Sequence, residues 1–160
     1  MLPTKFSATY QSIWIDHGVK PKRHQYAYVL LPGMDATATK KYADDPAVRI
    51  IKNDVDAQAV THSALGITAV NFWKPGTVGG ITVNAVCSVI VHRTSSRLMI
   101  AVSDPTQSRT RTLHTTLPIK ITQTISAEKG IKVSRRARSV KLSIEVAHSA
   151  GKTFCAILAL

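Results

Sequence analysis

The chain has 160 residues, of which 44% are hydrophobic and 6% aromatic, and it carries a formal net charge of +12. This composition excludes whole-chain disorder. No apolar run approaches the roughly 20 residues needed to span a bilayer, so no membrane partner is expected. The charge is uneven: residues 1–80 hold nine Lys/Arg against six acids, and residues 81–160 hold twelve against three, a balance that attracts polyanions.

The N-terminus, Met1-Leu2-Pro3-Thr4-Lys5-Phe6, lacks the basic-then-apolar pattern of a signal peptide. Phe6 to Ile15 and Tyr26 to Leu31 read as strands, the second closed by the turn residues Pro32-Gly33. Asp35 to Tyr42 is the one helical segment. Asp35 stands at its N-cap, Lys40 and Lys41 suit its C-terminal dipole, and Pro46 lies beyond its end. A seam is expected between this helix and a strand beginning near Val48.

Arg49 to Lys52, Ala57 to His62 and Ile67 to Trp73 are strand-like, followed by turns at Pro75-Gly76 and Gly79-Gly80. Period-two alternation then marks Val83, Ala85, Cys87, Val89 and Val91 as one inward-facing set, with Asn84, Ser88 and His92 outward. Leu98 to Val102 is the next strand, ended by Asp104-Pro105. Leu117 to Ile121 is another, with Pro118 placing it at a sheet edge or strand start. Ser126 to Ser139, basic and poor in apolar residues, reads as an exposed loop or hairpin end. Val140 to Val146 alternates cleanly, and Lys152 to Leu160 reads as a terminal strand buried on both faces. Many short strands at this spacing predict an all-β chain, an antiparallel β-sandwich with one short helix.

Candidate chemistry is sparse. Asp16-His17-Gly18, with Tyr26 and Tyr28 nearby, has the residue types of acid–base catalysis. Adjacent strand residues point to opposite faces, however, so a turn role for Asp16 and His17 is the better reading. Asn53, Gln58 and Asn71 are amides in or beside strands; they suit sugar hydroxyls, but pinning loop backbone is the safer role for each alone. Trp14, Phe72 and Trp73 can stack on sugars, yet so few large rings should mostly serve the core, and Phe72 and Trp73 should face opposite sides.

The densest basic cluster is Arg135-Arg136-Ala137-Arg138, flanked by Lys129, Lys132 and Lys141. Its guanidinium groups match carboxylate and sulfate oxygens in bidentate geometry. Arg135, Arg136, Arg138 and Lys132 are therefore the candidate glycan-binding residues, against the alternative of a merely solvated loop. Nucleic acid ranks last as a partner because basic and aromatic residues are not interleaved. No zinc-type ligand spacing, phosphate loop or nucleophile elbow occurs, so neither metal nor cofactor is expected. Cys87 and Cys155 read as two buried thiols, with a single bridge between them left open.

Trp14 to Gly18, Tyr26 to Gly33, Tyr42, Val48 to Asn53, Gln58 to Val60, Leu65-Gly66, Asn71 to Trp73 and Val102 to Gln107 form an ordered series of segments. That series resembles polysaccharide lyase family 8, the hyaluronate, chondroitin AC and xanthan lyases. The resemblance implies a secreted enzyme with a helical catalytic domain, a β super-sandwich and a C-terminal β-sandwich, cleaving uronate-containing polysaccharide by β-elimination. It assigns residues 1–45 to the last strands of the super-sandwich and 46–160 to the C-terminal sandwich. The family's catalytic Asn, Tyr and His belong to the helical domain and have no counterpart here, so no catalytic residue is carried over. Whether the chain is an enzyme stays open at this point: the family is a carbon–oxygen lyase, and this chain alone is expected to be inactive. The expected partners are acidic polysaccharide and the helical catalytic domain; the alternative is a stand-alone module for acidic glycans.

Overall fold

The computed structural model describes residue 8 and residues 12–22, 24–107 and 112–160. Two compact units divide the chain, Met1–Pro32 and Gly33–Leu160. In the first, the described residues contain neither helix nor strand. The strand expected over Tyr26 to Leu31 is therefore absent. A strand exists only through the ladder to its neighbour, and these residues form no ladder. The strand expected over Phe6 to Ile15 falls partly outside the described residues, and its last part, residues 12–15, is not a strand.

The second unit begins with α1 (Ala36–Asp44), capped by the Asp35 carboxylate, which accepts the Ala38 N–H at 2.7 Å. Two antiparallel sheets follow. One runs in the order β1 (Val48–Asn53), β2 (Ala57–His62), β3 (Ile67–Phe72), β6 (Cys87–Arg93), β7 (Arg97–Ser103), β12 (Thr153–Ala159), β9 (Gln123–Ala127). The other runs β10 (Ile131–Arg135), β11 (Val140–Ile144), β8 (Leu113–Leu117), β5 (Ile81–Val83), β4 (Gly76–Val78). The all-β antiparallel sandwich with one helix is thus what the chain adopts.

Alternation builds the core. Val70 and Phe72, Val89 and Val91, Leu98, Ile100 and Val102, and Phe154, Ala156 and Leu158 face inward from the larger sheet. Ile81, Val83, Leu113, Leu117, Val140, Leu142 and Ile144 meet them from the smaller one. The run Val83-Ala85-Cys87 stays buried throughout, yet it is not one strand. The chain bends at residues 84–86 and passes from the smaller sheet to the larger, keeping its alternate side chains in the shared core.

Three further expectations change. β8 ends at Leu117, because Pro118 has no N–H to continue the ladder, so 118–121 is not a strand. The basic stretch from Ser126 is the expected hairpin end only at residues 136–139, the tip of the β10–β11 hairpin; β9 reaches Ala127, and Ile131–Arg135 is paired as β10. β12 is buried on one face only, so Cys155 is exposed while Cys87 is buried. Neither cysteine is in a disulfide, and the two side chains face opposite sides of the same sheet, which rules out a bridge between them.

Candidate glycan-binding surface

Asp16, His17 and Gly18 form a turn. The Asp16 carboxylate accepts the Gly18 N–H at 2.7 Å, and Gly18 takes a φ of 72° that its missing side chain permits. His17 stacks edge-on against His24, ring centroids 5.2 Å apart, with the Tyr26 ring 6.1 Å away. The aspartate thus serves the backbone, and Tyr28 is 74% exposed. Trp14 is exposed as well, so the expectation that most large rings enter the core fails here; Phe72 and Phe154 are buried instead.

The basic residues are split by strand geometry. On β10, Ile131 and Val133 pack toward the core, so Arg135 shares their face and its guanidinium donates to the Thr122 carbonyl. Lys132 points the other way, opposite Ser143, and Lys141 of β11 lies opposite Ser134 on that same outward face. Arg136 and Arg138 occupy the exposed hairpin tip, where the Arg136 N–H bonds the Ser139 carbonyl at 2.8 Å. The β10–β11 hairpin therefore carries Lys132 and Lys141 on its outward face and Arg136 and Arg138 at its tip, while Arg135 makes a backbone contact.

Beyond this end, the outward face of the smaller sheet is wholly polar. Ser134, Lys141, Thr116, Thr82 and Thr77 stand directly opposite one another across all five strands. Lys132, Ser143 and His114 form the next row, with His114 Nδ1 3.1 Å from Ser143 Oγ. Sequence reasoning named Lys132 and Lys141 but missed the threonines. They become a row only through register, although their alternation with buried neighbours was visible.

The three amides come together elsewhere. Asn53 pairs with Gln58, and Gln58 with Asn71, on the outward face of the larger sheet. Ser88 donates its hydroxyl hydrogen to Asn71 Oδ1 at 2.8 Å. The β1–β2 turn beside them carries two ion pairs, Lys52–Asp54 at 2.6 Å and Lys74–Asp56 at 2.7 Å. The hydrogen bond from Lys52, aided by the Ala57 and Asp56 backbone N–H groups, holds the Asp54 carboxyl down at about 2 against an ordinary 3.8. A carboxyl depressed in this way contributes stability above its unfolded value, and that contribution disappears as pH falls from about 4 through 2. An NMR titration of Asp54 should show its midpoint near pH 2, and Lys52→Met should raise it; a midpoint near 4 in the unaltered chain contradicts the geometry.

Among the described residues, no group of three or more His, Cys, Asp or Glu is placed to hold a metal ion. No described helix is long and apolar enough to cross a membrane. What the surface offers is charge at one hairpin, hydroxyls across one sheet and amides on the other.

Comparison with known proteins supplies the lineage. Residues 49–112 match the sequence model of the polysaccharide lyase family 8 C-terminal β-sandwich domain, and residues 2–43 match that of the family 8 super-sandwich domain. Xanthan lyase from Bacillus sp. (strain GL1) is 36% identical over 154 residues, covering 94% of this chain and 16% of that protein. Hyaluronate lyase from Thermasporomyces composti is 34% identical over 152 residues, covering 94% of this chain and 19% of that protein. The structure of a Paenibacillus xanthan lyase superposes with a TM-score of 0.78 at 36% identity, over 81% of this chain and 13% of that one. The chain thus spans less than a fifth of the length of the relatives it matches. With two adjacent domains of one family matched in order and the sandwich fold shared, the chain belongs to polysaccharide lyase family 8, in its C-terminal β region.

Proposed function

We propose that this chain is the non-catalytic C-terminal β region of a secreted polysaccharide lyase. The whole protein degrades acidic, uronate-containing polysaccharide by β-elimination. The chain supports the helical catalytic domain and helps to hold the glycan. In this reading residues 1–45 are the last strands of the super-sandwich and residues 46–160 the C-terminal sandwich. The observation that carries glycan holding is the hairpin, which bears Arg136 and Arg138 at its exposed tip and Lys132 and Lys141 on the outward face of a hydroxyl-covered sheet. Fixed cations beside hydroxyls complement a chain that alternates carboxylates with sugar hydroxyls. The names of the relatives, xanthan lyase and hyaluronate lyase, fit such a ligand. The second reading, a stand-alone module for acidic glycans, is favoured by the second unit holding both sheets within residues 33–160.

The test is binding of hyaluronan oligosaccharides at low salt. The double variant Arg136→Ser/Arg138→Ser should bind about five- to tenfold more weakly, as expected for two exposed ion pairs of up to about 1 kcal/mol each. Arg135→Ser should bind nearly as the unaltered chain does, since its guanidinium is already engaged. Equal binding by the double variant and the unaltered chain removes the hairpin from the proposal. Release of unsaturated uronate products by this chain alone removes the non-catalytic assignment.

A further inference from the structure

The outward face of the larger sheet holds a second set of groups that the basic hairpin does not explain. The amide row continues past Asn71. Asn53, Gln58, Asn71, Ser88, Ser103 and Thr153 stand directly opposite one another across six adjacent strands, from β1 to β12. Five strand spacings of about 4.8 Å make this line roughly 24 Å long. All six side chains are neutral hydrogen-bonding groups, in a chain with 21 Lys and Arg. The Ser88 hydroxyl holds the Asn71 amide through its oxygen.

Apolar groups stand on both sides of the row, next to the Lys74–Asp56 ion pair on one of them. Trp73 directly follows the buried Phe72 at the end of β3, its N–H bonds the Asp56 carbonyl at 2.9 Å, and the residue is 46% exposed. On the other side, Val60, Ala69, Ile90, Ala101 and Cys155 form the next outward row. A pyranose is amphipathic in the same way: its edges carry hydroxyls, and its faces present C–H groups that pack on aromatic and aliphatic surface. Amides and hydroxyls are donor and acceptor at once, as a sugar hydroxyl is. We propose that this face is a second carbohydrate-binding strip, specific for uncharged, extended glycan segments. Hydroxyls are read by the Asn53–Thr153 row, and a sugar ring stacks on Trp73. A ribbon-like β-linked chain lies along such a line for its whole length, whereas a coiled chain touches it at one ring. The strip is independent of the hairpin in both position and charge.

Calorimetric titration with cellohexaose, with maltohexaose as the coiled control, tests the proposal. Cellohexaose should bind saturably and more tightly than maltohexaose. Its affinity should be unchanged between about 0.05 M and about 0.5 M salt, over which the Debye length shrinks roughly threefold. Trp73→Ala should weaken binding about tenfold or more, the loss of one desolvated aromatic contact. Gln58→Ala, an exposed substitution that leaves the core untouched, should weaken it about threefold, the equivalent of one hydrogen bond. Arg136→Ser/Arg138→Ser should bind cellohexaose as the unaltered chain does. Absence of saturable binding, indifference to both Trp73→Ala and Gln58→Ala, or loss of binding with salt overturns the strip. Hyaluronan titrated in parallel separates the two surfaces: failure there alone counts against the hairpin, and failure with cellohexaose alone counts against the strip.

Discussion

Replacing Phe72 with alanine should destabilise the sandwich by about 3–5 kcal/mol, read from the shift of a denaturant unfolding curve. Phe72 is 1% exposed and projects from β3 into the space between the sheets. Its cross-strand partners are small, Ala57 on one side and Cys87 on the other, so the ring fills volume that neither neighbour can take over. Deleting it leaves a cavity in addition to the lost transfer energy, and together these remove a large share of the 5–15 kcal/mol typical of a whole domain. Ile125→Ala on edge strand β9, where the side chain is 46% exposed, should change stability by well under 1 kcal/mol. A Phe72→Ala loss no greater than that of Ile125→Ala means that the ring is not a filled part of the core.

The alternation that placed Phe72 inward also shows how much of the fold is legible in the sequence. Strands with a buried face announce themselves: Ala57–His62 has the predicted bounds, and Val140–Ile144 follows its even-numbered apolar positions. The helix is legible because its cap is chemical, Asp35 accepting from Ala38. Where the reading failed, pairing decided rather than pattern. Tyr26 to Leu31 has strand composition but forms no ladder, and Leu117 to Ile121 has strand composition interrupted by Pro118. The run through Val83 and Cys87 misled in another way, because alternation reports which side faces the core, not which sheet the strand belongs to. Family resemblance near Val102–Gln107 reflects a turn: the buried Asp104 carboxylate accepts from both the N–H and the hydroxyl of Thr106.

The surfaces were less legible than the core. Nearness in sequence grouped Arg135, Arg136 and Arg138, but a strand places neighbours on opposite faces, and Arg135 turns to Thr122. Asn53, Gln58 and Asn71, up to 18 residues apart in the chain, stand in one line because two hairpins bring them into register. Ser88, Ser103 and Thr153 complete that line with no local signal. A serine in a strand looks the same whether or not an amide lies across from it.

Gly66→Ala should destabilise the sandwich by about 3 kcal/mol or more, although it adds a single carbon. Gly66 ends the short 3-10 turn after β2 with φ 64° and ψ 28°, a left-handed conformation that disfavours a side chain by roughly 1–2 kcal/mol. The larger obstacle is spatial. A Cβ built here overlaps the Arg93 carbonyl oxygen, which is backbone and has no rotamer to change. Nor can that backbone retreat freely, because the Arg93 N–H bonds the Gly66 carbonyl at 2.8 Å and ties the end of β6 to the turn. Relieving the overlap therefore breaks a backbone hydrogen bond, leaving groups whose desolvation is worth a further 1–3 kcal/mol. Gly80 isolates the two contributions. Its φ is 79°, yet its nearest neighbour is Pro118 Cγ at 3.5 Å, an ordinary contact, so Gly80→Ala should cost only the conformational part. Equal losses from the two substitutions place the whole effect in φ and refute the close approach at Arg93. A markedly larger loss at Gly66 makes the Leu65-Gly66 pair a packing requirement of the β2–β3 connection.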